Sequence, residues 1–193
     1  MTNWLALMTS QPTVSNPESS TNLIIVMGVS GSGKSTLAKA LGDIYGYEFL
    51  DADDFHSAES RALMAKAIPL TDEHRKPWVA AIKQRLQSND AQNIHTVLAF
   101  SGLKKKHRDE LRTAGLRTLV LYLDGSKETI GDRMVHRTNH YMPVALLDSQ
   151  FASMEDPTAE PDVHLLDVRP PVHQVVQQAC GLVDKYLNTS TKA

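Results

Sequence analysis

The sequence has little cysteine, no long apolar run and almost no excess charge. The single cysteine, Cys180, cannot form an internal disulfide, which argues against a secreted disulfide scaffold and fits a reducing, cytoplasmic location. No apolar run approaches the roughly 18 residues that a membrane-spanning helix needs. The formal net charge of −2 gives no general electrostatic reason to expect nucleic acid or an anionic membrane as partner. Any anion that binds must therefore be held by local positive groups.

The composition predicts one folded domain. The chain has 193 residues, of which 41% are hydrophobic and 22% charged, and these values are typical of a globular domain with one core. Residues 9–22 are rich in Ser, Thr, Asn and Pro, and the first residues lack the basic and apolar regions of a signal peptide. We therefore predict a flexible leader at residues 1–21 and a single domain at residues 22–190.

Short apolar runs alternate with longer amphipathic segments along this domain. The apolar runs predict buried strands at Leu23–Met27, Glu48–Leu50, His95–Phe100, Leu116–Leu123 and Val163–Val168. The amphipathic segments predict helices at residues 35–45, 58–66, about 73–88, 104–113, 127–136, 144–154 and 172–187. This alternation favours an α/β fold with a parallel sheet and helices on both faces. Ligands of such sheets bind beyond the carboxyl ends of the strands, so the chemistry should lie in the segments that follow them.

The segment after the first predicted strand has the spacing of a phosphate-binding loop. Residues 28–35 read Gly-Val-Ser-Gly-Ser-Gly-Lys-Ser and match G-x-x-x-x-G-K-[ST] between a strand and a helix, where a plain Gly/Ser-rich turn is the alternative interpretation. The glycines let backbone N–H groups point inward, and the helix N-terminus adds partial positive charge. We predict that Lys34 reaches the β- and γ-phosphates of ATP as a catalytic residue and that Ser35 coordinates Mg²⁺. The predicted ATP-binding residues are Gly28, Ser30, Gly31, Ser32, Gly33, Lys34, Ser35 and Thr36.

Carboxylates follow the second predicted strand. Asp51, Asp53 and Asp54 come directly after it, and His56 lies two residues further on. A phosphoryl-transfer site needs one carboxylate to hold Mg²⁺, usually through water, and another to orient the acceptor hydroxyl and take its proton. We assign the first role to Asp51 and the second, catalytic and substrate-binding, to Asp53. Asp54 is interpreted as a solvated turn residue, and His56 as either an acceptor contact or a helix-start residue.

Basic residues follow the third predicted strand and occur near the start of the preceding helix. Residues 104–108 read Lys-Lys-Lys-His-Arg, and such a run is usually a solvated helix face. We predict that one or two of these cations point into an acceptor pocket, that Lys104, the residue nearest the strand, is one of them, and that the rest of the run lies on the surface. Arg75 could hold a carboxylate with its planar guanidinium, and Trp78 is predicted to be core or pocket wall.

A second pair of arginines precedes a segment that is predicted to be a lid. Arg133 and Arg137 are four residues apart and share one helix face. The following residues are predicted to form a mobile loop, which places a lid at about residues 134–143. Arginines on a closing lid can neutralise charge on the transferring phosphoryl group, so both are predicted to be catalytic; ordinary surface arginines are the alternative.

Together these segments resemble the gluconate kinase (thermoresistant gluconokinase) family of P-loop kinases, from about Leu23 to about Asp167. The phosphate loop is shared with many families, whereas the Arg-x-Pro-Trp piece at Arg75–Trp78 and the Ser-Gln-Phe piece at Ser149–Phe151 are more specific. The other matching pieces are Phe49–Asp53 with His56; Pro69, Leu70 and Asp72; Leu103–Lys105 with Arg108 and Asp109; Arg133 and Arg137 before His140; and Leu147, Glu155 and Pro157.

The resemblance implies an NMP-kinase-like fold with a five-stranded parallel sheet and a small lid, often as a homodimer. The implied reaction is ATP plus D-gluconate giving ADP plus 6-phosphogluconate. The resemblance also favours Arg75, Lys104, Arg133, Arg137 and Gln150 as site residues. The predicted acceptor-binding residues are Asp53, His56, Arg75, Lys104, His140 and Gln150. A small sugar acid is thus the expected partner.

The sequence departs from the family pattern mainly in the half that binds the acceptor. The departures are Ser57 and Ser60 where the family has Pro and Asn, Ala67 for Gly, His74 for Asp, Gly102 for Ala and Asn139 for Gly. A kinase of the same fold for another hydroxy acid, such as shikimate, is therefore an alternative, although shikimate kinases carry a run of glycines at residues 101–104. A nucleotide-binding regulator is a further alternative, but it would not need the acceptor-side residues Asp53, Arg75 and Lys104.

Overall fold

The computed structural model describes residues 21–66, 68–135 and 145–189, with side chains except at 133–135 and 145–146. In these ranges strands and helices alternate, close to the predicted bounds. The strands are β1 (Asn22–Met27), β2 (Glu48–Asp51), β3 (Thr96–Phe100), β4 (Arg117–Asp124) and β5 (Val163–Asp167). The helices are α1 (Lys34–Tyr45), α2 (Ala58–Ala65), α3 (Asp72–Ala91), α4 (Lys105–Arg112), α5 (Lys127–Val135), α6 (Ala145–Ser153) and α7 (Val172–Thr189), with a 3₁₀ turn at Ala52–Phe55.

The five strands form one parallel sheet in the order β2-β3-β1-β4-β5, which confirms the predicted sheet. Strand β1 lies at the centre and every one of its residues is buried, as its continuous apolar sequence requires. Met27 at the end of β1 pairs with Phe100 at the end of β3, and Asp51 at the end of β2 pairs with Ala99. The segments that follow these three strands therefore meet at one edge of the sheet.

Helices cover both faces of the sheet. Alternate residues of β1 point to opposite faces, so Ile24 and Val26 belong to one apolar cluster, and Leu23, Ile25 and Met27 to the other. Buried residues of α1 and α7 pack in the first cluster: Leu37, Ala38, Leu41, Val175, Ala179 and Val183. Buried residues of α3 and α4 pack in the second: Trp78, Val79, Ile82, Leu86 and Leu111. Cys180 is half-buried against the first cluster, as a packing residue would be.

Two of the departures from the family pattern begin helices. Ser57 is the N-cap of α2, and its side chain accepts a hydrogen bond from the backbone N–H of Ser60 at 3.1 Å. His74 completes a capping box at the start of α3, where its Nδ1 accepts from the backbone N–H of Thr71 at 3.2 Å. The substituted side chains therefore still satisfy backbone donors at the helix ends that border the acceptor side.

Several sequence predictions concern residues outside the described ranges. They are the leader up to residue 20, the lid with Arg137, Asn139 and His140, and Ala67. Thr21, the last residue of the predicted leader, is buried, and its carbonyl accepts a hydrogen bond from the backbone N–H of Arg117 at 3.0 Å. Among the helices of the described ranges, none is both long and apolar enough to cross a bilayer.

Candidate active site

The phosphate loop connects β1 to α1 in a conformation that its glycines permit. Gly28, Gly31 and Gly33 have φ angles of 149°, 81° and 103°, a region that other residues rarely adopt. A Cβ atom on Gly28 would also lie 2.8 Å from Oγ of Ser32. Helix α1 begins at Lys34, so its N-terminal backbone N–H groups and partial positive charge face the loop.

Lys34 lies across its own loop. Its Nζ donates a hydrogen bond to the backbone carbonyl of Val29 at 3.0 Å, and its side chain lines the cavity on the acceptor side. The ammonium group therefore lies between the loop that would hold the ATP phosphates and the cavity that would hold the acceptor. A cation in this position can bind oxygens of a phosphoryl group that passes from one to the other.

Ser35 and Asp51 form a pair of oxygen ligands suited to Mg²⁺. Ser35 Oγ donates to Asp51 Oδ2 at 2.6 Å, and Asp51 Oδ1 accepts from the backbone N–H of Asp53 at 3.0 Å. Mg²⁺ keeps several of its waters and commonly binds one or two protein oxygens together with substrate phosphates. In the ranges that the structure describes, no group of three or more His, Cys, Asp or Glu forms a metal cluster, and a site of this kind does not require one. The two side chains thus fit the ion.

A cavity of about 330 Å³ opens beside the phosphate loop. Besides Ser30 of the phosphate loop, six residues that were predicted to be catalytic or acceptor-binding line it: Lys34, Asp53, His56, Arg75, Lys104 and Gln150. Lys34 belongs to α1, Asp53 to the 3₁₀ turn, Arg75 to α3 and Gln150 to α6. His56 directly follows the 3₁₀ turn, and Lys104 directly precedes α4. The structure thus brings together side chains that are up to 116 positions apart (34 to 150) in the sequence.

One wall of this cavity, here called the acceptor cavity, is an aromatic stack. The rings of His56 and Trp78 lie 4.4 Å apart and 11° from parallel, and Trp78 Nε1 donates to the backbone carbonyl of Ala52 at 2.6 Å. Burial, with the positive charges of Arg75 and Arg61, lowers the pKa of His56 to about 4. His56 is thus neutral at physiological pH, and its buried Nδ1 has no hydrogen-bond partner in the described part of the chain.

Arg75 supplies a half-buried positive charge to the acceptor cavity. No described residue donates to, accepts from or pairs with its guanidinium within bonding distance, although Asp72 acts on it electrostatically. Burial lowers the pKa of Arg75 and Asp72 opposes this shift, but an arginine remains protonated at physiological pH. A half-buried cation that no described residue neutralises by direct contact is an expected place for a ligand anion.

Lys104 and Gln150 also reach the acceptor cavity, and both have partners. Lys104 Nζ lies 3.3 Å from Oε1 of Glu155, the second residue after α6. Gln150 Oε1 accepts a hydrogen bond from the backbone N–H of Ser30 at 2.6 Å, which ties α6 to the phosphate loop. Arg133 lies in α5, but its side chain is outside the described part of the chain. Arg137 and His140 lie wholly outside the described residues.

The prediction that the basic run beyond Lys104 lies on the surface is wrong for two residues. His107 and Arg108 are buried, at 8% and 2% exposure. Arg108 donates to Gly102 O at 2.5 Å, to Glu155 O at 3.1 Å and to both carboxylate oxygens of Glu160. The helical period could have revealed this, because residues 107 and 108 share the face of the buried Leu111. Charge alone suggested solvent exposure, but Glu160 provides a buried counter-charge.

Replacing Glu160 by Gln should lower the free energy of unfolding by about 3–5 kcal/mol, because it leaves the buried Arg108 without its counter-charge. Burial raises the pKa of Glu160, but the hydrogen bonds from Arg108 and Arg112 outweigh it and hold that pKa below its ordinary value. The stabilisation is therefore present above the unfolded-state pKa and lost as the pH falls. Urea unfolding at neutral and acidic pH measures both effects. As a control, Glu110→Gln removes the exposed partner of Lys83 and should cost less than about 1 kcal/mol; equal losses for the two variants would contradict the prediction.

A second, more apolar cavity of about 610 Å³ lies on the other side of the phosphate loop. Besides the loop it is lined by residues that follow β5 and begin α7, among them Val168, Pro171, Val172 and Val175. No binding role was predicted for this segment from the sequence. The rule that ligands bind beyond strand ends could have indicated it, because the segment follows the fifth strand. Its position suits the base of a nucleotide whose phosphates lie on the loop.

Known proteins are similar to this chain in both sequence and fold. A sequence profile described as an AAA domain matches residues 23–161. A probable gluconokinase of Mus musculus is 42% identical over 154 residues, which cover 71% of this chain and 84% of that protein. The thermosensitive gluconokinase of Escherichia coli is 40% identical over 155 residues, covering 80% and 83%. The crystal structure of a gluconokinase from Sinorhizobium meliloti matches with a TM-score of 0.80 and 38% identity, covering 89% and 97%. The similarity therefore extends far beyond the phosphate loop.

Proposed function

Because this chain belongs to the gluconokinase family of P-loop kinases, we propose that it transfers the γ-phosphoryl group of ATP to a hydroxyl of D-gluconate. The products are ADP and 6-phosphogluconate. The observation that carries the proposal is the half-buried, positively charged Arg75 in a cavity that also contains the phosphate-loop residue Lys34. The cavity volume, about 330 Å³, is at the small end of the range for ligand sites and suits a small metabolite.

The residues divide the chemistry between the phosphate loop and the acceptor cavity. The loop N–H groups and Lys34 bind the ATP phosphates and the charge that develops on the transferring group. Asp53 orients the acceptor hydroxyl and takes its proton while the new O–P bond forms and the bond to ADP breaks. Ser35 and Asp51 would hold Mg²⁺, which when bound neutralises phosphate charge.

The carboxylate of the acceptor needs its own cations. A second anion close to ATP meets strong repulsion, which bound positive groups must offset. We assign this role to Arg75 and Lys104, since both line the acceptor cavity. His56 and Gln150 complete the proposed acceptor site. A homodimer and a cytoplasmic location, both suggested by the sequence, stay predictions.

Replacing Arg75 by Ala should raise KM for gluconate about 10- to 100-fold and leave KM for ATP nearly unchanged, because one charged hydrogen-bonding group to the acceptor is lost. Initial rates with gluconate and with glucose, its uncharged counterpart, give the decisive comparison. The wild-type enzyme should strongly prefer the acid, and the variant should lose most of that preference. Lys105→Ala is a matched control, since it removes an exposed cation of the same region that pairs with Asp109 outside the cavity. Equal use of both sugars by the wild-type enzyme would exclude gluconate as the specific acceptor.

A further inference from the structure

One side chain of the acceptor cavity has no role in the reaction described above. His107, the third residue of α4, lines the cavity together with Arg75. It is only 8% exposed, and burial and nearby charges act on its imidazole without a hydrogen bond from the described residues. Neither of its ring nitrogens is among the fully buried, unpartnered atoms of the described residues. A group inside the cavity can therefore reach the imidazole.

The surroundings of His107 keep its imidazole neutral. Burial lowers its pKa, and the positive charges of Arg75 and Lys106 lower it further, against the opposing charges of Asp72 and Glu155. A neutral imidazole has one donor and one acceptor nitrogen. It therefore suits a hydroxyl group, which can both donate and accept, better than it suits a carboxylate, which only accepts.

Arg75 fixes which hydroxyl this would be. Arg75, His56 and His107 line the same cavity, and the charge of Arg75 acts on both imidazoles. Lys106, the neighbour of His107, bonds to Asp72 at 2.6 Å, which holds the start of α4 against the part of α3 that carries Arg75. In the proposed function the acceptor carboxylate binds Arg75, and the hydroxyl nearest to that carboxylate then lies on the neighbouring carbon.

We propose, on the basis of the proposed function, that His107 binds the hydroxyl next to the acceptor carboxylate and makes this enzyme selective for 2-hydroxy acids. His107 is then a specificity-determining residue that takes no part in proton transfer. Asp53, at the other end of the acceptor, retains that role. The selectivity then depends on a side chain in a basic run that was predicted to lie largely on the surface.

The test compares gluconate with 2-deoxygluconate, which lacks only this hydroxyl, in wild-type enzyme and in His107→Leu. Wild-type enzyme should prefer gluconate by about tenfold in kcat/KM, the value of one hydrogen bond. In His107→Leu the kcat/KM for gluconate should fall to the kcat/KM for 2-deoxygluconate. The kcat/KM for 2-deoxygluconate should itself differ little between the variant and the wild-type enzyme. Both acceptors are measured on one preparation, so any loss of folded protein cancels from the ratio. His164→Leu, a half-buried histidine of β5 outside both cavities, is the matched control and should keep the wild-type ratio.

The outcomes separate this inference from the proposed function. If the wild-type enzyme phosphorylates no sugar acid, the proposed function fails. If it phosphorylates gluconate but does not prefer gluconate to 2-deoxygluconate, His107 does not bind the hydroxyl, and the inference is overturned. If His107→Leu lowers kcat/KM equally for both acceptors and keeps the preference for gluconate, the side chain only packs against the cavity. That result would overturn the inference. Restoration of part of the preference by His107→Asn, which can again form hydrogen bonds, would support it.

Discussion

Replacement of Lys34 by Ala should lower kcat by about two to three orders of magnitude, the usual effect of removing one group that stabilises transition-state charge. The ammonium group lies between the phosphate loop and the acceptor cavity, where negative charge develops during transfer. Lys34 is only partly buried, and water can replace its hydrogen bond to the carbonyl of Val29. The fold should therefore survive the change. Steady-state kinetics with saturating ATP and gluconate measure kcat, and thermal unfolding checks the fold.

The matched control is Lys39→Ala, five residues further along the same helix. Lys39 is an exposed residue of α1. Its replacement by Ala removes the same charge and the same side-chain length from the helix but does not alter the phosphate loop. It should retain near wild-type kcat. A folded Lys34→Ala enzyme with turnover close to that of Lys39→Ala would show that Lys34 does not act on the transferring group.

Asp53→Asn should lower kcat by about 10²- to 10⁴-fold, the range for losing a positioned general base. The amide has nearly the shape of the carboxylate but cannot take the proton of the acceptor hydroxyl. Asp53 lines the acceptor cavity with its side chain 76% exposed, so the substitution removes little packing. KM for gluconate should change less than kcat, because a hydrogen bond from the hydroxyl to the amide oxygen can persist.

Asp54→Asn offers the same chemical change one residue away. Asp54 is exposed and does not line the acceptor cavity, so its variant should behave as wild type. A folded Asp53→Asn enzyme whose kcat matched that of Asp54→Asn would exclude proton transfer to Asp53. A large rise in KM with unchanged kcat would instead make Asp53 a binding residue only.

The sequence predicted the strands and helices well because their signals are local. The run Leu23–Met27 is apolar without interruption, as a strand covered on both faces requires. The phosphate loop was equally recognisable, since its glycines and Lys34 are adjacent along the chain. The strand order was not predicted, because local patterns do not state which strands are neighbours.

What the sequence missed depends on partners that are distant along the chain. Arg108 was predicted to be a surface cation, but in the structure it bonds to Glu160, which is 52 residues away in the sequence. His107 belongs to the same misread run, and its cavity is closed by α3 and by the 3₁₀ turn. The apolar cavity beside the loop likewise combines residues near 31–37 with residues near 168–176. Each of these assignments needs the tertiary fold.

The route of the chain between β2 and β3 has an evolutionary consequence. This single crossover, residues 52–95, carries Asp53, His56, Arg75 and Trp78, whereas the loop that would hold ATP precedes it. Four of the family departures, Ser57, Ser60, Ala67 and His74, also fall within it. Exchange of this one contiguous segment between relatives therefore alters one side of the acceptor cavity and leaves the phosphate loop unchanged. Lys104, His107 and Gln150 lie outside the segment, so engineering of substrate choice has to include them as well.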